Sequence, residues 1–151
     1  MRPDVAAGGL TGFVVASGVL LIDQASKDVA IQGSPLVPRN PDYAFGLVGG
    51  SAAMLTIASI AVLGMFLVVA YQLVAKLQIS PVMPALVAGG TLGNVVDRIR
   101  LGAVTDFVAT PWAIINVADV AVAIGVLGLA FTFTARLPRL RKRYAFARSA
   151  A

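Results

Sequence analysis

Apolar residues fall into four long stretches of this chain, and the charged residues gather at their ends. Val5 to Ile22 is uncharged between Asp4 and Asp23, and Ala52 to Ala75 is uncharged up to Lys76. A third stretch is uncharged from Leu77 to Val96, its apolar part starting near Pro81, and ends at Asp97. The fourth, Ile114 to Ala135, is interrupted only by Asp119. A helix needs about 20 mostly apolar residues to cross hydrocarbon. The pattern therefore predicts spans at 5–22, 52–75, 79–96 and 114–135, outer loops at 23–51 and 97–113, and a tail at 136–151. This is an all-α integral membrane protein of four transmembrane helices in a single domain. The first stretch is expected to be a retained helix, because its start carries little charge and "DQASK" follows it where a cleaved leader would have small residues.

The flanking charges orient the spans. With the N-terminus in the cytoplasm, the inner side holds Arg2, Lys76 and the tail residues Arg136, Arg139, Arg141, Lys142, Arg143 and Arg148, eight basic residues in all. The outer side holds Lys27, Arg39, Arg98 and Arg100, and the excess of positive charge inside favours both termini in the cytoplasm. Asp23, Asp28, Asp42, Asp97 and Asp106 then lie outside, with Asp119 just beneath that surface. Six of the seven carboxylates thus gather at one membrane face.

Composition narrows the chemistry. The chain is 58% hydrophobic and 13% charged, well below the roughly 25% charged residues of a soluble domain. It has no Cys, His or Glu, which excludes a cysteine nucleophile, a Ser-His-Asp triad, thiol redox chemistry and His/Cys zinc sites. A net charge of +5 raises the question of nucleic acid, but half of the basic residues follow the last apolar stretch, as in a cytoplasmic membrane flank. Nucleic acid is not an expected partner.

What remains is carboxylate chemistry. If the fourth helix enters the membrane near Trp112, Asp119 lies ~10 Å deep at 1.5 Å per residue, where a charge costs on the order of 3 kcal/mol. Asn116 shares its helix face and can donate to it. A structural polar knot is the simpler role for such an acid, but Asn or Ser would fill it more cheaply. The second constellation is "GGTLGNVVDRIRLGAVTDF", residues 89–107. Gly89, Gly90 and Gly93 thin one face of the third helix for close helix approach. Asn94, Asp97 and Arg98 share a face near its outer end, and Gly102 permits a turn. The β-prone "AVTDF" returns Asp106 to the membrane surface, whereas Asp97 and Arg100 read as ordinary interfacial charges. Two carboxylates sharing a low-dielectric pocket hold one proton between them, so one can act as base while the other acts as acid. Asp106 and Asp119 are one such pair among the fifteen that six outer acids allow. In "LIDQASK", Asp23 and Lys27 are spaced for an ion pair at the exposed end of the first helix. In "RNPDYAFGLVGG", Asn40 offers an amide to an extended ligand.

Together these stretches resemble the lipoprotein signal peptidase family, signal peptidase II. The matching motifs are D-x-x-x-K at Asp23 and Lys27, N-x-x-x-A-F-G at Asn40, Ala44, Phe45 and Gly46, the long glycine-rich motif from Gly89 to Phe107, and N-x-A-D at Asn116, Ala118 and Asp119. The resemblance spans almost the whole chain. It implies a membrane aspartic endopeptidase of the bacterial cytoplasmic membrane, with its site towards the outer face. Such an enzyme removes the signal peptide of a diacylglyceryl-modified prolipoprotein just before the lipidated Cys. It also implies Asp106 and Asp119 as the catalytic pair. Asn40, Asn94, Arg98, Asn116, Asp23 and Lys27 become substrate-binding or supporting residues, and Gly89, Gly90, Gly93, Asp97 and Gly102 structural ones. The implied fold adds a small outer-face β-like cradle, drawn from 28–50, and a short interfacial helix. A lipidated substrate and membrane lipid are the expected partners of a monomer, and an aspartic mechanism requires no cofactor or metal. The chain departs from the family pattern at Asp42, at Ile115 and in a short interval between Asp106 and Asp119. These departures bear on the outer loops and the pocket wall and leave the dyad intact. A small proton-coupled transporter is the alternative, but it should carry polar groups towards both faces, and the cytoplasmic halves of these stretches are almost wholly apolar. An inactive relative that only binds lipoproteins is the third reading.

Overall fold

The computed structural model describes residues 3–34, 36–40, 51–77 and 79–149, without the side chains of 3–6, 76–77 and 137–149. Asp42, Ala44, Phe45 and Gly46, named above, lie outside the described residues. The protein is mostly helical. Its long helices are α1 (Pro3–Gly33), α2 (Ala52–Leu77), α3 (Val82–Leu101) and α4 (Val117–Ser149). Among the described residues there are also four two-residue strands: β1 (Arg39–Asn40), β2 (Val104–Thr105), β3 (Val108–Ala109) and β4 (Ile114–Ile115).

Helices α1, α2 and α4 all pack on α3. Among the described residues three helices are long and apolar enough to cross a membrane, along Ala7–Gly33, Ala52–Ala75 and Val117–Arg136. The exception is α3, whose last two turns carry Asn94, Asp97, Arg98 and Arg100. Its neighbours supply the reason that so polar a helix sits at the centre. Asp97 and Arg98 are buried against protein, whereas Phe13, Leu21, Ile57, Met65, Leu127 and Phe131 on the surrounding helices face outward. Apolar side chains outside and charges inside is the arrangement a hydrocarbon solvent favours.

Close packing depends on the glycines of α3. A Cβ on Gly89 would stand 2.5 Å from the Ala16 carbonyl oxygen of α1, and one on Gly90 2.5 Å from the Ala118 carbonyl oxygen of α4. A Cβ on Gly93 would run into the Asp23 carboxylate. Gly125 on α4 answers them, its missing Cβ leaving room for Val87 and the Met83 carbonyl. The contacts at Gly89, Gly90 and Gly125 involve backbone, which cannot swing aside. Helix α3 then stops at Gly102, whose φ of 74° is the left-handed region and whose N–H donates to the Arg98 carbonyl at 3.1 Å.

Several element boundaries differ from those the hydrophobic pattern predicts, and two of them place the acidic residues. The first helix does not stop at Ile22 but continues through Asp23 and Lys27 to Gly33. Both charged side chains are buried and paired, so the helix can pass through them. The fourth helix starts at Val117 rather than Ile114, because Ile114 and Ile115 form β4. Asp119 therefore sits in the first turn of α4, at the helix mouth, and not two turns down it. Among the described residues the 28–50 segment contributes one strand: β1 pairs antiparallel with β2, Arg39 opposite Thr105 and Asn40 opposite Val104. Strands β3 and β4 form a separate hairpin. A short interfacial helix is not found among the described residues.

Gly89→Ala and Gly90→Ala should each destabilise the protein by about 1–3 kcal/mol, as forced overpacking does, and Gly64→Ala, with open space around its Cβ position, should be neutral or slightly stabilising. Thermal unfolding of the purified variants in detergent measures both.

Candidate active site

The site begins with a charge cluster where α1 meets α3. Lys27 Nζ lies 2.7 Å from Asp23 Oδ2 and 3.1 Å from Asp97 Oδ2, and donates to Asn94 Oδ1 at 3.0 Å. Asp23 is 0% exposed, Lys27 2% and Asp97 3%. This corrects the expectation of an exposed Asp23–Lys27 pair and of a solvated Asp97. The i, i+4 spacing aligns Asp23 and Lys27 along α1, and the absent side chain at Gly93 lets α3 close over them. One ammonium between two buried carboxylates needs neutral donors as well. The Thr105 N–H donates to Asp97 Oδ2 at 2.9 Å, and the Ala118 N–H donates to Asp23 Oδ1 at 2.9 Å.

Those two backbone bonds carry the cluster to the candidate carboxylates. Asp97 holds β2, and the residue after Thr105 is Asp106, whose own N–H donates to the Pro38 carbonyl at 3.2 Å. Asp23 holds the N-terminal end of α4, where N–H groups have no helical partner. Asn116 completes that end as its cap. Its Oδ1 accepts from the Asp119 N–H at 2.9 Å, while Asp119 Oδ2 accepts from the Asn116 N–H at 3.2 Å. This reciprocal arrangement is a capping box. The mouth of a helix also favours negative charge, which resolves much of the cost of placing Asp119 in a hydrophobic element.

Asn116 links the pair as well as capping the helix. It is fully buried, and its Nδ2 donates to Asp106 Oδ1 at 2.7 Å, with contacts to Asn94 Oδ1 at 3.1 Å and the Thr105 carbonyl at 3.3 Å. Asn94 Nδ2 in turn donates to Asp119 Oδ1 at 3.0 Å. Asp106 is buried and Asp119 half-buried. Burial first, and then the Asp119 charge, push the Asp106 carboxyl up to about 6, against the opposing effect of hydrogen bonds from Asn116 and Asn40 and the positive charge of Lys27. The two acids that the resemblance singles out are thus electrostatically coupled, with one of them near its ionisation midpoint close to neutral pH.

Of the other residues singled out, Asn40 reaches Asp106 from β1. Asn94 and Asn116 bridge the two acids, and Asp23, Lys27 and Asp97 frame them. Arg98 Nη1 approaches the Asn94 carbonyl on its own helix at 3.5 Å. Gln24 escaped the sequence reading. Its Nε2 donates to Asp97 Oδ1 at 3.0 Å, to the Gly93 carbonyl at 3.2 Å and to Asp23 Oδ2 at 3.3 Å, while its Oε1 accepts from Arg100 Nη1 at 3.2 Å. Only its position next to Asp23 could have drawn attention to it. Thr105 contributes through its backbone, which leaves no signature in a side-chain pattern.

Residues 15–135 match the model of the signal peptidase (SPase) II family. The chain belongs to the signal peptidase II family. It is 34% identical over 140 residues to the lipoprotein signal peptidase of Pelotomaculum thermopropionicum, covering 79% of this chain and 88% of that one. A lipoprotein signal peptidase of Methylorubrum extorquens is 34% identical over 160 residues, covering 85% and 88%. Among solved structures, a bacterial membrane enzyme determined by the in meso method at 2.3 Å superposes with a TM-score of 0.69 at 25% identity, over 83% of this chain and 88% of that one. Membership in signal peptidase II makes the chain a peptidase, and its apolar helices make it a bacterial membrane protein.

Lys27→Met should be the most damaging change in the frame, since it leaves two buried carboxylates facing each other; removing one partner of a buried pair costs about 3–5 kcal/mol. Asp97→Asn should cost less, because Asp23 and Lys27 still neutralise one another. Thermal unfolding ranks the two. The raised Asp106 value gives a pH signature. Its neutral form is favoured by folding, so its contribution is most favourable below about pH 4 and is lost as pH rises through about 6. Asp106→Asn should remove that decline, and the gap between variant and wild-type melting temperatures should widen from pH 4 to pH 7.

Proposed function

We propose that this protein is an aspartic lipoprotein signal peptidase in which Asp106 and Asp119 are the catalytic pair. The observation that carries the reading is the single buried amide, Asn116, that donates to Asp106 while exchanging hydrogen bonds with Asp119. Two carboxylates joined in this way hold one proton between them. Asp106, raised to about 6, is the member disposed to carry it. The ionised partner takes a proton from water as the water attacks the scissile carbonyl. The protonated one polarises that carbonyl and then gives its proton to the departing amine. Water adds across the amide bond, releasing a carboxylic acid and an amine, and the pair returns to its starting state.

The substrate is a prolipoprotein carrying a diacylglyceryl group on the Cys that follows the cleaved bond. Asn40 on β1 and Asn94 on α3 border the pair and present amides to an extended peptide, while Arg98, Asp23, Lys27 and Asp97 hold the elements around it. Both acids come from one chain, which suits a monomer. Membrane lipid surrounds it. The whole chain acts as one multi-pass domain in the cytoplasmic membrane. Its four helices all cross, both termini lie in the cytoplasm and the site opens towards the outer face. Supporting this orientation are the basic tail and the gathering of the acids at one end. Helix α3 crosses despite its charges because its neighbours sheathe it.

Asp106→Asn and Asp119→Asn should each lower cleavage of a diacylglyceryl-modified prolipoprotein by at least about 100-fold, the lower range for loss of a general acid or base, while the purified variants remain folded. Gel analysis of precursor and product over time tests this. Near wild-type processing by either variant would remove that residue from the mechanism.

A further inference from the structure

A hairpin separates the two candidate acids along the chain. Strands β3 and β4 pair Val108 with Ile115 and Ala109 with Ile114. The turn between them is tightly tied: Thr110 N–H donates to the Ala113 carbonyl at 2.8 Å, Thr110 Oγ1 to the same carbonyl at 2.6 Å, and Ala113 N–H to Thr110 Oγ1 at 3.0 Å. At its base, the Phe107 N–H donates to the Ile115 carbonyl at 3.1 Å. Apart from Thr110, whose hydroxyl the turn occupies, every residue from Val108 to Ile115 is apolar. Opposed residues of an antiparallel pair share a face, so Val108 and Ile115 cover one face, Ala109 and Ile114 the other. Trp112, near the tip, is 91% exposed, Val108 42% and Ile114 41%.

A rigid ribbon that is apolar on both faces and bears no charge is poorly suited to bulk water. Its place in the chain identifies a better medium. Helix α4 starts at Val117, directly after Asn116, and its Val117–Arg136 stretch is apolar enough to cross a membrane. The ribbon therefore stands at the mouth of that helix. Among the described residues the sheet has two strands, and open edges of this kind need water for their backbone groups, so they do not sink into hydrocarbon. The headgroup zone offers water for the edges and hydrocarbon for the side chains, and it is where Trp is enriched. Uncharged along its length, the ribbon has nothing with which to select a protein partner by charge.

We propose that the 108–115 hairpin is a membrane anchor, seated at the boundary between phospholipid headgroups and acyl chains with Trp112 at its tip. The inference rests on the reading of α4 as a span. Asp106 lies two residues before β3, and the Asn116 cap directly follows β4. Setting the depth of the hairpin thus sets the depth of both acids beneath the headgroups. It thereby sets their distance from the leaflet in which the lipid of the substrate is held.

Trp112 is the only tryptophan of the chain, so intrinsic fluorescence reports on it alone. In phosphatidylcholine vesicles its emission should be blue-shifted and protected from aqueous iodide. Most of it should be lost when the lipid is brominated near the headgroup end of its acyl chains, and little when the bromine is near the methyl ends. Emission typical of an indole in water, quenched by iodide and indifferent to bromine, would overturn the proposal, as would stronger quenching by the deep bromine. Leu127→Trp in a Trp112→Phe background places the reporter on the outward face of α4. If deep bromine quenches this variant while Trp112 ignores lipid, the anchor is wrong and the span stands; if neither is quenched, the span itself is wrong.

Discussion

The ammonium of Lys27 is the point from which the rest of the site is held. It lies between Asp23 and Asp97, and each carboxylate also accepts from the backbone of a different element. Asp97 takes the Thr105 N–H and fixes the strand that ends just before Asp106. Asp23 takes the Ala118 N–H and fixes the turn that contains Asp119. A buried ion pair is often no more stabilising than an apolar packing of the same volume. Its use here is geometric, since charged acceptors make short, directional bonds to N–H groups and so locate two otherwise separate segments relative to one helix.

That cluster can exist only because α3 is thin where it must be. The missing side chain at Gly93 makes room for the Asp23 carboxylate, and those at Gly89 and Gly90 let backbone approach backbone. Hydrocarbon provides little drive for helices to associate, so small residues and buried polar bonds do that work together. The chain uses both on the same helix. Its innermost helix consequently carries buried charges, while apolar side chains of the other three face outward.

Asn116 shows how one residue joins folding to chemistry. Capping α4 requires an acceptor at that position, and bridging to Asp106 requires a donor; a side-chain amide has both. The cap sets the rotamer, and the rotamer aims Nδ2 at Asp106. The electrostatic coupling of the acids therefore follows from the way the helix starts. Gln24 plays a similar double part between α1 and α3, taking a hydrogen bond from Arg100 and giving its own to the carboxylates.

Much of this was legible in the order of residues. Long uncharged stretches mark helices because hydrocarbon tolerates few charges, and Gly89, Gly90 and Gly93 mark a close approach because nothing larger fits between two backbones. The spacing of Asp23 and Lys27 and of Asn116 and Asp119 encodes local pairs, since a helix has a fixed period. Tertiary structure decided the rest. Asp23 and Lys27 read as an exposed pair until α3 covered them, and Asp119 read as deeply embedded until β4 moved the start of its helix. Gln24, Thr105 and the Ala118 N–H acquire roles only when α1, α3 and α4 converge. The physical reason is one of range. Solvent preference and helical period act on neighbours along the chain and can be read there, whereas desolvation and the pairing of distant acids depend on what closes over them.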